Sequence, residues 1–74
     1  MMCTVVTFYT TAAAMALEAA CRDANIAGKL FSAPRSLSAD CGIAWQSPAE
    51  QAEALKALIA RENLETEGVY AVEL

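Results

Sequence analysis

The sequence predicts an α+β sandwich with the element order β-α-β-β-α-β, and three observations predict it. Segments rich in β-branched and aromatic residues stand at the start, middle and end of the chain, and two segments of high helix propensity separate them. Both helical segments close on the same signal, an asparagine followed by an aliphatic residue, at Asn25-Ile26 and Asn63-Leu64. The chain has 74 residues, 57% apolar and 19% charged, a composition that forms a core and is not that of a disordered segment. A chain of this size buries only about 60% of the surface its unfolded form exposes. One domain over residues 1–74 is therefore expected, without room for a deep cleft or a repeat array.

Cys3 to Tyr9 forms the first strand, with Val6 and Phe8 on one face and Val5, Thr7 and Tyr9 on the other. Thr10 or Thr11 offers an N-cap to an alanine-rich helix whose buried stripe is Ala13, Leu17, Ala20, Cys21 and Ala24. Glu18 and Arg22 lie four apart on its outer side, in the favourable order. Asn25 ends this helix in the left-handed conformation, with Ile26 as the apolar contact beyond it.

Gly28 opens the second strand, Lys29 to Ala33, which Pro34 stops. Pro34 to Asp40 is a polar connection with one aliphatic residue, Leu37, before a third strand over Cys41 to Gln46. Ser47-Pro48-Ala49-Glu50 has the form of a capping box with proline at the first helical position, so the second helix is expected to begin there. Its apolar stripe is Ala52, Leu55, Leu58 and Ile59, and Gly68 to Leu74 is the last strand.

Two split β-α-β units of this length make a ferredoxin-like sandwich, a four-stranded antiparallel sheet with both helices on one face and the first and third strands central. The same order also fits an α+β sandwich with the last strand displaced, and the residues alone do not separate the two. No helix covers the other sheet face, so a homodimer through that open face is expected.

Composition narrows function by exclusion. Nine acids against five bases give a net charge of −4, the wrong sign for a protein that tracks phosphates on a nucleic acid. The chain has no histidine, which removes Ser-His and Cys-His catalytic pairs and most zinc sites. Three widely spaced cysteines without a C-x-x-C exclude zinc ribbons and thioredoxin-type motifs and fit a reducing cytoplasm. The first 17 residues carry no charge, but they lack a basic leading segment and threonines interrupt them. They read as strand and helix, so neither a cleaved leader nor a membrane span is expected. Phosphate-cradling glycine motifs are absent, and neither a metal nor an organic cofactor is expected.

The connection before the third strand carries what chemistry there is. A hairpin needs only two to five residues, whereas this one spends about eight. It brings Arg35, Ser36 and Ser38 close in sequence to Cys41, followed by Gly42, where the backbone turns tightly or approaches a ligand. A guanidinium and two hydroxyls favour a thiolate at Cys41, while Asp40 opposes it, so the sign of the balance depends on side-chain direction. Cys41 as a small apolar residue capping the sheet is the competing interpretation. Arg35 is equally suited to water or to an anion. Cys21 belongs to the core; Cys3 is structural or incidental, with some room for a role as a resolving thiol. Trp45 suits the core or a dimer interface better than a ligand platform. A thiol without histidine is poorly equipped for hydrolysis, yet it can accept and hand on a sulfur atom.

The segment Pro34-Arg35-Ser36-Leu37-Ser38-Ala39-Asp40-Cys41-Gly42-Ile43-Ala44 resembles the pattern of the Se/S carrier-like family of small bacterial proteins: Pro-Arg, a Leu/Ile-Ser pair, then Cys-Gly and a small apolar residue. The capping hydroxyl after the first strand and Gly68-Val69-Tyr70 add softer support. The resemblance implies a sulfur or selenium acceptor in which Cys41 carries the chalcogen and Arg35 and Ser38 surround it. It implies protein partners, a donor such as a cysteine desulfurase and an acceptor such as selenophosphate synthetase, and an accessory carrier rather than a stand-alone enzyme. Trp45 departs from the pattern in bulk and is expected to narrow access to Cys41. A second function also fits the loop: a non-enzymatic module in which Arg35, Ser36 and Ser38 hold a small anion.

Overall fold

The computed structural model describes residues 1–33, 36 and 41–74 of the chain. Strand β1 is Met2–Thr7, helix α1 is Thr11–Ala24, β2 is Lys29–Ser32 and β3 is Ile43–Pro48. A 3-10 turn at Ala49–Gln51 leads into α2, Ala52–Arg61, and β4, Gly68–Glu73, completes the order. The four strands form one antiparallel sheet in the order β2-β3-β1-β4, with β1 and β3 central. This is the ferredoxin-like arrangement; β4 pairs directly with β1 and is not displaced.

The register assigns each side chain to a face. Leu30, Trp45, Val6 and Val69 lie opposite one another across the four strands and pack into one cluster with Leu17, Cys21, Leu55 and Leu58 from the helices. Phe8, Leu17 and Leu55 are fully buried, and each such side chain contributes about 1.5–3 kcal/mol by leaving water. The alternate residues, among them Val5, Thr7, Ala44, Phe31 and Tyr70, fall on the other face by the period-two rule.

Helix α1 forms as the residues dictate. Thr10 is its N-cap, and its hydroxyl oxygen accepts the Ala13 N–H at 3.1 Å. Ala14, Leu17 and Cys21 make the buried stripe. Ala13 and Ala20 pack against this core, so the expected stripe holds except that Ala24 is exposed and Ala14 joins it. Both helices end alike: Asn25 and Asn63 have φ of 62° and 53°. The Ile26 N–H then donates to the Cys21 carbonyl at 2.9 Å and the Leu64 N–H to the Ile59 carbonyl at 3.0 Å, the six-to-one bond of a Schellman motif.

The capping box at Ser47 does not form. β3 continues through Pro48, and α2 starts at Ala52 after the 3-10 turn. The reason lies in the core: Ser47 is buried, its hydroxyl accepts from Trp45 Nε1 at 2.7 Å and donates to the Ala27 carbonyl at 2.7 Å. A hydroxyl already engaged by a buried indole and a backbone carbonyl is not free to cap a helix.

Candidate functional site

Thr7 is paired with Ala44 on one side and with Gly68 on the other, so the end of β1, the start of β3 and the start of β4 share one end of the molecule. Helix α1 also begins there, directly after β1. The connection between β2 and β3 emerges from this end. The Ala33 N–H donates to the Gly42 carbonyl at 2.9 Å, one step beyond the last sheet pair, Ser32 with Ile43. That bond clamps the base of the loop, and Cys41 and Gly42 stand at its returning side.

Cys41 is half-buried, and of the three cysteines it alone is not buried. Its side chain packs against the edge of the core on the helix side of the sheet, alongside Ile43. The thiol donates to the Ile43 carbonyl at 3.3 Å. That contact gives the sulfur a fixed direction. Gly42 has φ of 75°, and a Cβ built there would meet nothing within 4 Å. Among the described residues nothing crowds that position, so there the glycine is required by its backbone conformation.

Ser36 is an exposed turn residue. Arg35 and Ser38 lie outside the described residues, as do Pro34, Leu37, Ala39 and Asp40. The structure thus places Cys41 and Gly42 together at the base of the loop. The carbonyl of Ile43, which orients the thiol, has no sequence signal, because a backbone acceptor is independent of the side chain that carries it.

The remaining thiols separate clearly from Cys41. Cys21 is fully enclosed in the helix-side core, and its burial pushes the thiol up to about 11 from an ordinary 9.0. Cys3 pairs with Pro48 at the far end of β3, roughly 16 Å along the strand from Ile43 at about 3.3 Å per residue. It also belongs to the opposite face of the sheet, so within one chain it is not placed to resolve a disulfide with Cys41. Trp45 does not crowd Cys41 as expected. Its ring lies over Gly28 and its Nε1 bonds Ser47, both toward the end of the sheet away from the loop.

Hollows also lie away from the loop among the described residues. One, of about 330 Å³, runs between the helices beside Ala20, Asp23, Leu58 and Arg61. Another, of about 320 Å³, is bordered by Cys3, Lys29, Gln46 and Pro48. A further one, of about 260 Å³, lies beside Arg22, Ile26, Lys29 and Trp45. No helix among the described residues is long and apolar enough to cross a membrane.

No curated protein and no solved structure matches the chain. A family of proteins does, over residues 3–71, which takes in both helices, β2, β3, most of β1 and β4, and the loop that ends at Cys41. By that match the chain belongs to the family described as "Putative Se/S carrier protein-like".

Proposed function

We propose that this protein is a chalcogen carrier and that Cys41 is the carrying residue. One observation supports the reading above the others: Cys41 is the single cysteine that is not buried, and it stands at the clamped base of a long loop beside Gly42, which no other described residue crowds. The family description agrees with such a role. In the step envisaged, the Cys41 thiolate attacks the outer sulfur of a donor persulfide. A new S–S bond forms at Cys41, the donor's S–S bond breaks, and the donor leaves as a thiolate with the electron pair. The exchange has no net redox change and needs no cofactor; a perselenide donor follows the same course. Delivery repeats the exchange, with an acceptor nucleophile attacking the outer atom. Arg35, Ser36 and Ser38 are proposed to hold the charged persulfide, and Gly42 to leave room for the docking protein. A cysteine desulfurase is the donor of suitable chemistry, and a selenophosphate-forming enzyme a suitable acceptor.

Incubating the reduced protein with a desulfurase and cysteine is expected to add one sulfur atom, read by mass spectrometry of the intact chain. Peptide mapping should place it on Cys41, and Cys41→Ser should lose it. An unmodified wild-type chain, or an equal adduct on Cys41→Ser, ends the proposal.

A further inference from the structure

We infer that two copies of this chain join through the outer edge of β4, an inference that stands apart from the carrier reading. The sheet ends in β2 on one side and β4 on the other, and an end strand has backbone groups with no neighbouring strand to bond. Two bonds fix which groups of β4 these are. The Leu74 N–H donates to the Met1 carbonyl at 2.9 Å and the Glu67 N–H to the Thr7 carbonyl at 2.7 Å, so the odd-numbered residues of β1 face β4. By the alternation of an antiparallel ladder, Gly68, Tyr70 and Val72 bond β1, while Val69, Ala71 and Glu73 turn their N–H and C=O groups outward. None of those groups has a backbone partner among the described residues, and Ala71 and Glu73 are exposed. The other edge is shorter and guarded. The bond from the Ala33 N–H to the Gly42 carbonyl sets the same alternation on β2, which turns only Leu30 and Ser32 outward and carries Lys29 beside them.

A second copy is the occupant because this edge is complementary to itself. A two-fold axis normal to the sheet, passing between the two Ala71 residues, sets Ala71 opposite Ala71 and Val69 opposite Glu73 of the second copy. Every outward group of β4 then has a partner. Residues that come opposite share a face of the sheet, so the helices of both copies stay on one side and two four-stranded sheets become one. Between those bonds Tyr70 meets Val72 of the second copy in the close, non-hydrogen-bonded pair, and the axis repeats the contact. An aromatic ring beside a β-branched side chain is a favoured cross-strand pair, and Tyr70 is 42% exposed in the single chain. Charge agrees: each copy bears −4, yet Glu73 stands opposite Val69 and its carboxylate already pairs with the Met1 ammonium. Pairing β4 with β2 of the next copy would leave a new edge at each end and run on as a filament, whereas the two-fold arrangement closes. The contact is edge to edge and not face to face, because Val5, Thr7 and Ala44 in the middle of the far face are already buried within one chain.

Sedimentation of the intact chain, from dilute solution to the high concentrations used for NMR, is the test, with Ala71→Pro and Ala71→Lys as variants. The N–H that proline lacks is one that β1 does not use, so the strand keeps its place in the sheet. Lysine sets two ammonium groups against each other at the two-fold axis. Contact along one strand is smaller than the ~800 Å² per partner of a standard interface, which makes the pair weak and its mass concentration-dependent. Wild type should climb from 7.8 kDa toward twice that mass, while both variants stay at 7.8 kDa with an unchanged circular dichroism spectrum. Amide exchange reads the same bonds without a substitution. The Val69, Ala71 and Glu73 N–H groups should exchange slowly at high concentration and faster on dilution, while those of Tyr70 and Val72 hold constant. A wild-type monomer throughout, a mass that climbs past the dimer, a dimer that survives both variants, or edge N–H groups indifferent to dilution each overturn the assignment.

Discussion

Cys21 shows how one enclosed atom sets a pH limit on the whole fold. Its thiol is held neutral to about 11, against an ordinary 9.0, because the apolar cluster around it does not solvate a thiolate. Below about pH 9 both the folded and unfolded chains keep the proton, and the group has no pH-dependent effect. Between 9 and 11 the unfolded chain loses the proton while the folded chain retains it. The unfolded state then binds fewer protons, so stability falls as pH rises through this window. Denaturant titrations at a series of pH values should show that decline in wild type and a shallower one in Cys21→Ala. Equal slopes for the two proteins would show that Cys21 does not carry the effect. Gly42 is the complementary case, a residue fixed by a φ of 75° with no other described residue crowding it, where a side chain strains the backbone by about 1–2 kcal/mol.

Among the elements, the hinge between β3 and α2 is held by a serine. Ser47 joins the Trp45 indole to the Ala27 carbonyl, which ties β3 to the segment that enters β2. Ser47→Ala leaves the buried Trp45 N–H without its partner, at a cost of about 1–3 kcal/mol. For a domain this small, each kcal/mol lowers Tm by about 4–8 °C. Calorimetry should therefore find a clear drop for Ser47→Ala, together with a shift in the Trp45 emission. An unchanged Tm would mean that water or rotation satisfies that N–H. The same serine marks where the sequence misleads. Its motif, Ser-Pro-Ala-Glu, is a helix start by local rules, and those rules contain no term for an indole two residues earlier on the same face of the strand. The asparagine stops were legible because a left-handed residue followed by an aliphatic one is a purely local device, and both stand at φ above 50°. The alternation of Val6 and Phe8 with Val5 and Thr7 likewise gave the two faces of the central strand, since register follows from period two once one face is buried. At the candidate site, Cys41 and Gly42 were legible from loop length and residue type. The carbonyl that aims the thiol was not, because it belongs to no side chain.

At the scale of the molecule, the three cysteines report on three different environments of one fold. Cys41 is half-buried at the loop base, Cys3 is buried at 9% exposure on the sheet face away from the helices, and Cys21 is sealed between helix and sheet. Alkylation by a neutral reagent such as iodoacetamide near pH 8 should follow that order. Cys41 should react from the native state at a rate that mild urea leaves unchanged, because no opening is needed to reach it. Cys21 should react only through global unfolding, so its rate should climb with urea along the stability curve. Cys3 needs only a local shift of its neighbours near the end of β1, so its rate should lie between the other two and respond weakly to urea. Protection of Cys41 equal to that of Cys21 would remove the physical ground of the carrier reading.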